Sequence, residues 1–209
     1  MPVHDLVVHP RERELVAGTH GRSIWIVDVL PIQDLAQSGE DTALKVFYID
    51  DVKASRYWRG KRSRWYYKAD EAPKSIVKYW SDSAGEASIE ILDKNNSVVR
   101  RLGNETQKGM NSFEWDLRVE QDLALAAESA ALEKATEDSA DKESADSTLA
   151  DTPYAESVRL GHDLYAIPGD YTVRVTLGEN IADSKLKIKA PKAYEPRVKE
   201  TYNLRGKKD

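Results

Sequence analysis

The alternation of apolar and polar positions predicts a chain built from short β-strands. Near the start, apolar runs at 6–8, 15–17 and 24–27 are separated by turns that contain proline or glycine. Short runs rich in β-branched residues between such turns are typical of strands. The run at 24–27 is apolar without alternation, so we expect it to be covered on both faces. Residues 29–37 follow as a short helix or turn.

Clear alternation returns after residue 75. Residues 76–80 and 87–91 predict two strands, and 98–102 predicts the second arm of a hairpin after an Asp- and Asn-rich turn. Two later strands each place a row of apolar residues on one face: Phe113, Trp115 and Leu117, then Tyr171, Val173, Val175 and Leu177. Residues 44–48 and 184–189 complete the pattern, the latter as an exposed or edge strand. Together these strands predict an all-β protein with an antiparallel β-sandwich.

A long acidic insert, residues 119–160, separates the Trp115 strand from the Tyr171 strand. Its part from 119 to 156 holds eleven acids and two bases, so it carries a net charge of −9 against +4 for the remainder. Residues 123–135 are rich in Ala, Leu and Glu, which favour helix. Residues 136–152 have almost no apolar content. We expect a flexible loop there, because too little surface is buried to offset the entropy of ordering.

Composition excludes several classes of chemistry. The 209 residues, 40% of them apolar, are enough for one modest sandwich and an additional β segment. The absence of cysteine excludes a disulfide scaffold, a thiolate zinc site and a cysteine nucleophile. No apolar run is long enough to cross a membrane, and the first residues do not read as a signal peptide, so we expect no membrane insertion.

The predicted sandwich carries motifs of a known family. These motifs are the alternating strand and Asp-rich turn at 89–93, Val-Val-Arg at 98–100, the strand ending in Trp-Asp at 111–116, and Pro-Gly-Asp-Tyr at 168–171. The pattern resembles the FlgD-type immunoglobulin-like domain. The glycine usual inside the Asp-rich turn is missing, and Asn95-Asn96 stands in its place. The resemblance implies an immunoglobulin-like topology for the sandwich.

The N-terminal stretch carries a second resemblance. Residues 4–28, with His9-Pro10 and the Gly-Thr-His-Gly-Arg turn at 18–22, look like the closing blade of the sortilin-like or BNR-like β-propeller proteins, often labelled glycosyl hydrolases. The resemblance implies a C-terminal piece of a larger exported protein, located in the periplasm or secreted. The hydrolase label does not carry over, because the propeller that would hold an active site is absent from this sequence.

Four segments follow from these observations. They are a remnant propeller-blade segment at 1–40, a connecting region at 41–74, the immunoglobulin-like sandwich at 75–190 with its insert at 119–160, and a C-terminal tail at 191–209.

A basic aromatic run, residues 53–68, is the most suggestive candidate site. It holds seven bases, five aromatic residues and no acid. Aromatic side chains between arginines can stack on sugars while the guanidinium groups hold carboxylate or sulfate. The candidate ligand-binding residues are Arg56, Tyr57, Trp58, Arg59, Arg64, Trp65, Tyr66 and Tyr67. The favoured alternative is a linker whose aromatic rings pack on the sandwich or on a propeller. No nucleic-acid-binding motif accompanies the run, so we expect no nucleic-acid partner.

No organised catalytic set is recognisable. The four histidines, at 4, 9, 20 and 162, lack metal-ligand spacing, and the acidic cluster lies in the predicted loop rather than in a fixed pocket. We therefore expect no catalytic residue, metal or cofactor. The leading hypothesis is a non-catalytic accessory module that packs against the propeller of its parent chain or binds another protein or a glycan. The alternatives are an acidic-polysaccharide-binding module acting through 53–68, and one edge of a glycoside hydrolase site completed by the propeller.

Overall fold

The computed structural model describes residues 3–9, 11, 14–21, 23–39, 42–55, 58, 74–138 and 152–191. Within these ranges the chain forms eleven strands and three helices. The strands are β1 (Val3–Val8), β2 (Glu14–Thr19), β3 (Ile24–Asp28), β4 (Leu44–Val46), β5 (Val52–Lys53), β6 (Ser75–Ser81), β7 (Gly85–Leu92), β8 (Val98–Thr106), β9 (Gly109–Trp115), β10 (Gly169–Leu177) and β11 (Asn180–Lys189). The helices are α1 (Leu30–Ser38), α2 (Gln121–Asp138) and α3 (Pro153–Arg159). The prediction of a mostly β protein is confirmed.

The first three strands form a sheet of their own, in the order β1-β2-β3, with antiparallel pairing throughout. They coincide with the three apolar runs of the N-terminal sequence. Helix α1 follows directly, as predicted for 29–37. Pro31 lies in its first turn, where a missing N–H costs no hydrogen bond, and the Asp28 carboxylate accepts a hydrogen bond of 3.0 Å from the N–H of Leu30.

The remaining strands form two sheets that enclose one apolar core. One sheet has five strands in the order β5-β11-β10-β7-β8, and the other has three in the order β4-β6-β9. The predicted inward rows of both late strands are buried. The indole ring of Trp115 in the smaller sheet lies edge-on to the ring of Tyr171 in the larger one, with 6.1 Å between centroids. Tyr79 extends across as well, since its hydroxyl lies 2.6 Å from the hydroxyl of Thr106 on β8.

The segment from β4 to β5 passes from one of these sheets to the other. β4 pairs with β6, and β5 pairs in parallel with the end of β11. Between them Phe47 and Ile49 are buried, and hydrogen bonds hold the backbone of Phe47 on both sides. Its N–H donates to the carbonyl of Lys78 (3.1 Å), and its carbonyl accepts from the hydroxyl of Ser184 (2.9 Å). The predicted connecting region thus contributes one strand to each sheet.

The acidic insert contains two helices in its described part. α2 begins two residues before the predicted helical stretch, and it buries Ala124 and Ala127. The predicted loop at 136–152 overlaps the end of α2, and its residues 139–151 lie outside the described residues. α3 was not predicted. Its start is fixed by the carboxylate of Glu128 on α2, which accepts hydrogen bonds from the N–H groups of Tyr154 (2.8 Å) and Ala155 (3.3 Å) and from the hydroxyl of Thr152.

An ion pair connects the N-terminal sheet to the β4-β6-β9 sheet. The carboxylate of Asp28, at the end of β3, lies 2.9 Å from the ammonium group of Lys78 on β6, and both side chains are more than 40% exposed (46% and 42%). Partial burial alone would raise the pKa of Asp28. Hydrogen bonds from Lys78 and Leu30, with the charge of Lys78, outweigh burial and hold that pKa below its ordinary value of 3.8.

We expect Asp28→Asn to lower the free energy of unfolding by less than about 1 kcal/mol at neutral pH, because the pair is solvent-exposed. Asparagine keeps an acceptor for Leu30 and removes only the charge. Since the folded-state pKa is depressed, the stabilisation exists above pH 3.8 and disappears as the pH falls through the lower folded value. Urea denaturation of both proteins between pH 6 and pH 2.5 measures this difference. A difference that persists unchanged at the acid end would contradict the assignment.

Candidate functional site

The N-terminal sheet exposes large apolar side chains along both of its outer strands. On β3 the exposed fractions are 73% for Ile24, 60% for Trp25 and 61% for Ile26, and on β1 that of Leu6 is 58%. The middle strand β2 is half-buried along its whole length. The expectation that 24–27 is covered on both faces is therefore not met by the described part of the chain, which leaves the strand open to solvent.

The pairing register shows that both faces of this sheet are apolar. Leu6, Ala17 and Trp25 lie side by side, and the next row is Val7, Val16 and Ile26. Successive residues of a strand point to opposite faces, so these two rows belong to different faces. The face that we call the Trp25 face consists of Leu6, Val8, Leu15, Ala17, Trp25 and Val27. The face that we call the Ile26 face presents Val7, Val16, Ile24 and Ile26, with the carboxylates of Glu14 and Asp28 at one end and that of Asp5 beside Ile24 at the other.

This pattern is that of an inner layer rather than of a solvent-exposed sheet. In an antiparallel sheet with one solvent-exposed face, apolar and polar residues alternate along each strand. Large contiguous apolar patches on the surface of soluble proteins mark interaction sites. The strand edges differ as well. The β1–β2 register is interrupted between Val3 and Asp5, whereas β3 pairs regularly with β2 over its whole length. Both faces of the N-terminal sheet are therefore candidate contact surfaces.

The basic aromatic run is described at one of its eight candidate residues. Trp58 is half-buried against the core, and its ring centroid lies 5.9 Å from that of Tyr165. The guanidinium group of Arg118 lies 5.5 Å from the same tyrosine ring. For Trp58 this contact agrees with the alternative reading, in which the aromatic residues pack on the sandwich. The other candidates lie outside the described residues: Arg56, Tyr57, Arg59, Arg64, Trp65, Tyr66 and Tyr67.

The histidines do not form a metal site in the described part of the chain. The rings of His4 and His20 lie side by side at one end of the N-terminal sheet, with centroids 4.8 Å apart. Among the described residues, no group of three or more His, Asp or Glu side chains is placed to hold a metal ion. In the acidic insert, Glu128 has the structural role described above. None of the helices searched among the described residues is both long and apolar enough to span a bilayer.

Two concave regions outside the N-terminal sheet could not be predicted from the sequence. One, of about 270 Å³, lies between α2, α3 and the start of β10, and its apolar wall includes Leu132, Ile167 and Tyr171. Burial raises the pKa of Tyr171 above its ordinary range, and its hydroxyl donates to the carbonyl of Ile167 (2.8 Å). The other, of about 570 Å³, is an open groove beside Tyr48. The one sequence feature that points to this groove is Tyr48, an aromatic residue between two apolar neighbours, Phe47 and Ile49.

Comparison with known proteins does not assign this chain to a family. No family model matches it, and no curated protein matches it. One solved structure, the β-glucosidase EmGH1 from Erythrobacter marinus, aligns with 70% of this chain and with 15% of its own, at 9% sequence identity and a TM-score of 0.27. The chain thus spans far less than two thirds of that enzyme. A likeness at this level carries no argument about fold or activity, and the function must be argued from the chain's own surfaces.

Proposed function

We propose that this protein is a non-catalytic interaction module whose N-terminal sheet packs as an inner layer between two other layers of protein. The observation that supports the proposal is the exposure of apolar side chains on both faces of that sheet. The proposed partner is a β-propeller, in the parent chain or in a separate protein. In a propeller, each blade lies between two neighbouring blades, so both of its faces are buried.

The energetics favour such an association. Eight apolar side chains of β1 and β3 are at least half exposed: Val3, Leu6, Val7, Val8, Ile24, Trp25, Ile26 and Val27. Complete burial of a side chain of this size is worth about 1.5–3 kcal/mol. Burial of the exposed half of all eight therefore contributes on the order of 10 kcal/mol before the cost of association is subtracted.

The finer features of the fold belong to the same proposal. We assign β4 to β11 to an immunoglobulin-like domain of the FlgD type and β1 to β3 to a propeller blade. Support for the first comes from the two sheets around one core and from the Pro-Gly-Asp-Tyr motif at the start of β10. Support for the second comes from three consecutive antiparallel strands in chain order. The resemblance to exported propeller proteins also leads us to propose a location outside the cytoplasm.

The test is co-expression of this chain with a β-propeller from its own reading frame or operon, with association measured by analytical ultracentrifugation; if neither encodes a propeller, the proposed partner is wrong. Trp25→Glu alters one face and Ile26→Glu alters the other. Each is expected to weaken the complex by about 100-fold or more, because a charge buried without a partner costs several kcal/mol. Ile181→Glu on β11, where the side chain is 63% exposed, is the matched control and should leave the affinity unchanged.

Different failures of this experiment have different meanings. If Trp25→Glu alone weakens the complex, the sheet docks by one face and is not an inner layer. If neither variant does, the sheet is not the contact surface. Hydrolysis of a glycoside by the purified chain, lost on a single substitution, would overturn the non-catalytic assignment.

A further inference from the structure

Tyr48 is an exposed aromatic residue on a fixed piece of backbone. Its neighbours Phe47 and Ile49 are 2% and 1% exposed, whereas Tyr48 itself is 63% exposed. The backbone of Phe47 is hydrogen-bonded to both sheets that enclose the core, through Lys78 on β6 and Ser184 on β11. The tyrosine therefore projects from the point where the chain passes between the sheets. A ring held in this way offers a flat apolar face at a low cost in conformational entropy.

Charged side chains line the same groove as this ring. Asp170 on β10 and Lys187 on β11 are register partners, with 3.5 Å between carboxylate and ammonium group. The ammonium group of Lys189 donates a hydrogen bond to the carboxylate of Asp51 (2.6 Å), which is the main cause of the raised pKa of Lys189, and nearby Tyr48 contributes to the same shift. Lys185 lines the same groove and forms no ion pair with any described residue.

The far wall of the groove is the turn between β7 and β8. The carboxylate of Asp93 accepts hydrogen bonds from the N–H groups of Asn95 (2.8 Å) and Ser97 (2.9 Å), which fixes the turn. Asn96 has a left-handed backbone with φ of 61° and lines the groove, as does Lys94. The groove is thus built on two strands and a rigid turn, and its volume of about 570 Å³ is within the range of small-molecule sites.

The charges in the groove balance. Three carboxylates (Asp51, Asp93, Asp170) and three ammonium groups (Lys94, Lys185, Lys187) line it, so the formal charge of the lining residues is zero, and Lys189, which pairs with Asp51, adds one positive charge beside them. A polyanion or polycation gains nothing from such a surface. A ligand with many hydroxyl groups gains hydrogen bonds from it, because each hydroxyl can donate to a carboxylate and accept from a lysine. The C–H face of a sugar ring also matches the apolar face of an exposed aromatic ring.

We infer that this groove binds a neutral oligosaccharide, with one sugar ring stacked on Tyr48 and its hydroxyl groups bonded to Asp170, Lys185 and Lys187. None of the residues that line the site belongs to 53–68, and its balanced charges differ from the seven bases of that run. No residue of the N-terminal sheet lines this groove, although Tyr48 also borders a neighbouring cleft with Glu14 and Asp28 of that sheet. The inference does not rest on the proposed docking function, because sugar binding is measured on the chain without a propeller.

The experiment is isothermal titration of the full chain with four neutral hexasaccharides (cellohexaose, xylohexaose, laminarihexaose and mannohexaose) and with an acidic hexasaccharide of hyaluronan for comparison. We expect millimolar to micromolar binding of at least one of them, with little dependence on salt. Tyr48→Ala should weaken that binding at least tenfold, and Lys185→Ala severalfold. Tyr48→Phe keeps the ring and should bind within about threefold of the original chain. Far-UV circular dichroism of each variant confirms that it is folded.

Other outcomes overturn the inference. One is the absence of binding by all four sugars at millimolar concentration. A second is binding that Tyr48→Ala leaves unchanged. A third is binding of an acidic hexasaccharide of hyaluronan alone, weakened by salt, which would point to a cationic surface elsewhere on the chain.

Discussion

Trp115→Ala is expected to lower the free energy of unfolding by about 3–5 kcal/mol, as large-to-small changes of aromatic core residues do. Trp115 is fully buried, its ring packs edge-on to Tyr171 in the opposite sheet, and its indole N–H donates to the carbonyl of Arg118 (2.9 Å). The substitution leaves a cavity between the sheets and a carbonyl without its donor. Because a domain of this size is stable by about 5–15 kcal/mol, a large share of its stability would be lost.

Urea denaturation followed by far-UV circular dichroism measures this loss. The matched control is Trp25→Ala, which removes the same side chain from a strand position where it is 60% exposed. The control should change the free energy of unfolding by less than about 1 kcal/mol. Equal losses in the two variants would contradict the placement of Trp115 in the core and of Trp25 on the surface.

Glu128→Ala is expected to cost about 1–3 kcal/mol, the penalty for leaving hydrogen-bonding groups without partners. The carboxylate serves as the N-terminal cap of α3 although it comes from α2, and it accepts from Tyr154, Ala155 and Thr152. Its loss should therefore act on α3 first. Hydrogen exchange at the amides of Tyr154 and Ala155 should accelerate more than exchange in β10.

Glu128→Gln is the control, because glutamine keeps one acceptor oxygen at nearly the same place. We expect it to retain part of the protection that the alanine variant loses. If the alanine variant exchanges at α3 no faster than the original chain, the cap is not what holds that helix.

Local patterns predicted most of the strands. The rows from Phe113 to Leu117 and from Tyr171 to Leu177 face the core as their alternation indicates, because a half-buried strand must repeat every two residues. α3 could not be predicted in this way. Its residues 153–159 are short and weakly patterned, and the group that starts the helix comes from Glu128, 26 residues before Tyr154. β5 has only two residues, too few for any periodicity.

The candidate surfaces were predicted less completely. The uniform apolar character of 24–27 predicted a strand covered on both faces, whereas Trp25 and Ile26 are exposed in the described part of the chain. The sequence showed the run alone; the second apolar row on β1 emerged only from the register with β2. The groove at Tyr48 was missed because its charged residues come from three distant segments that only the folded sheets bring together.

The hydrogen bond between Ser184 and Phe47 joins residues 137 positions apart. A contact between residues so far apart in sequence stabilises the fold only after the entropy cost of closing a long loop has been overcome, and this slows folding. During synthesis, Phe47 and Ile49 leave the ribosome long before β11 exists to cover them. The domain can therefore close only after β11 has been made, and until then its early strands expose apolar residues that are buried in the folded protein.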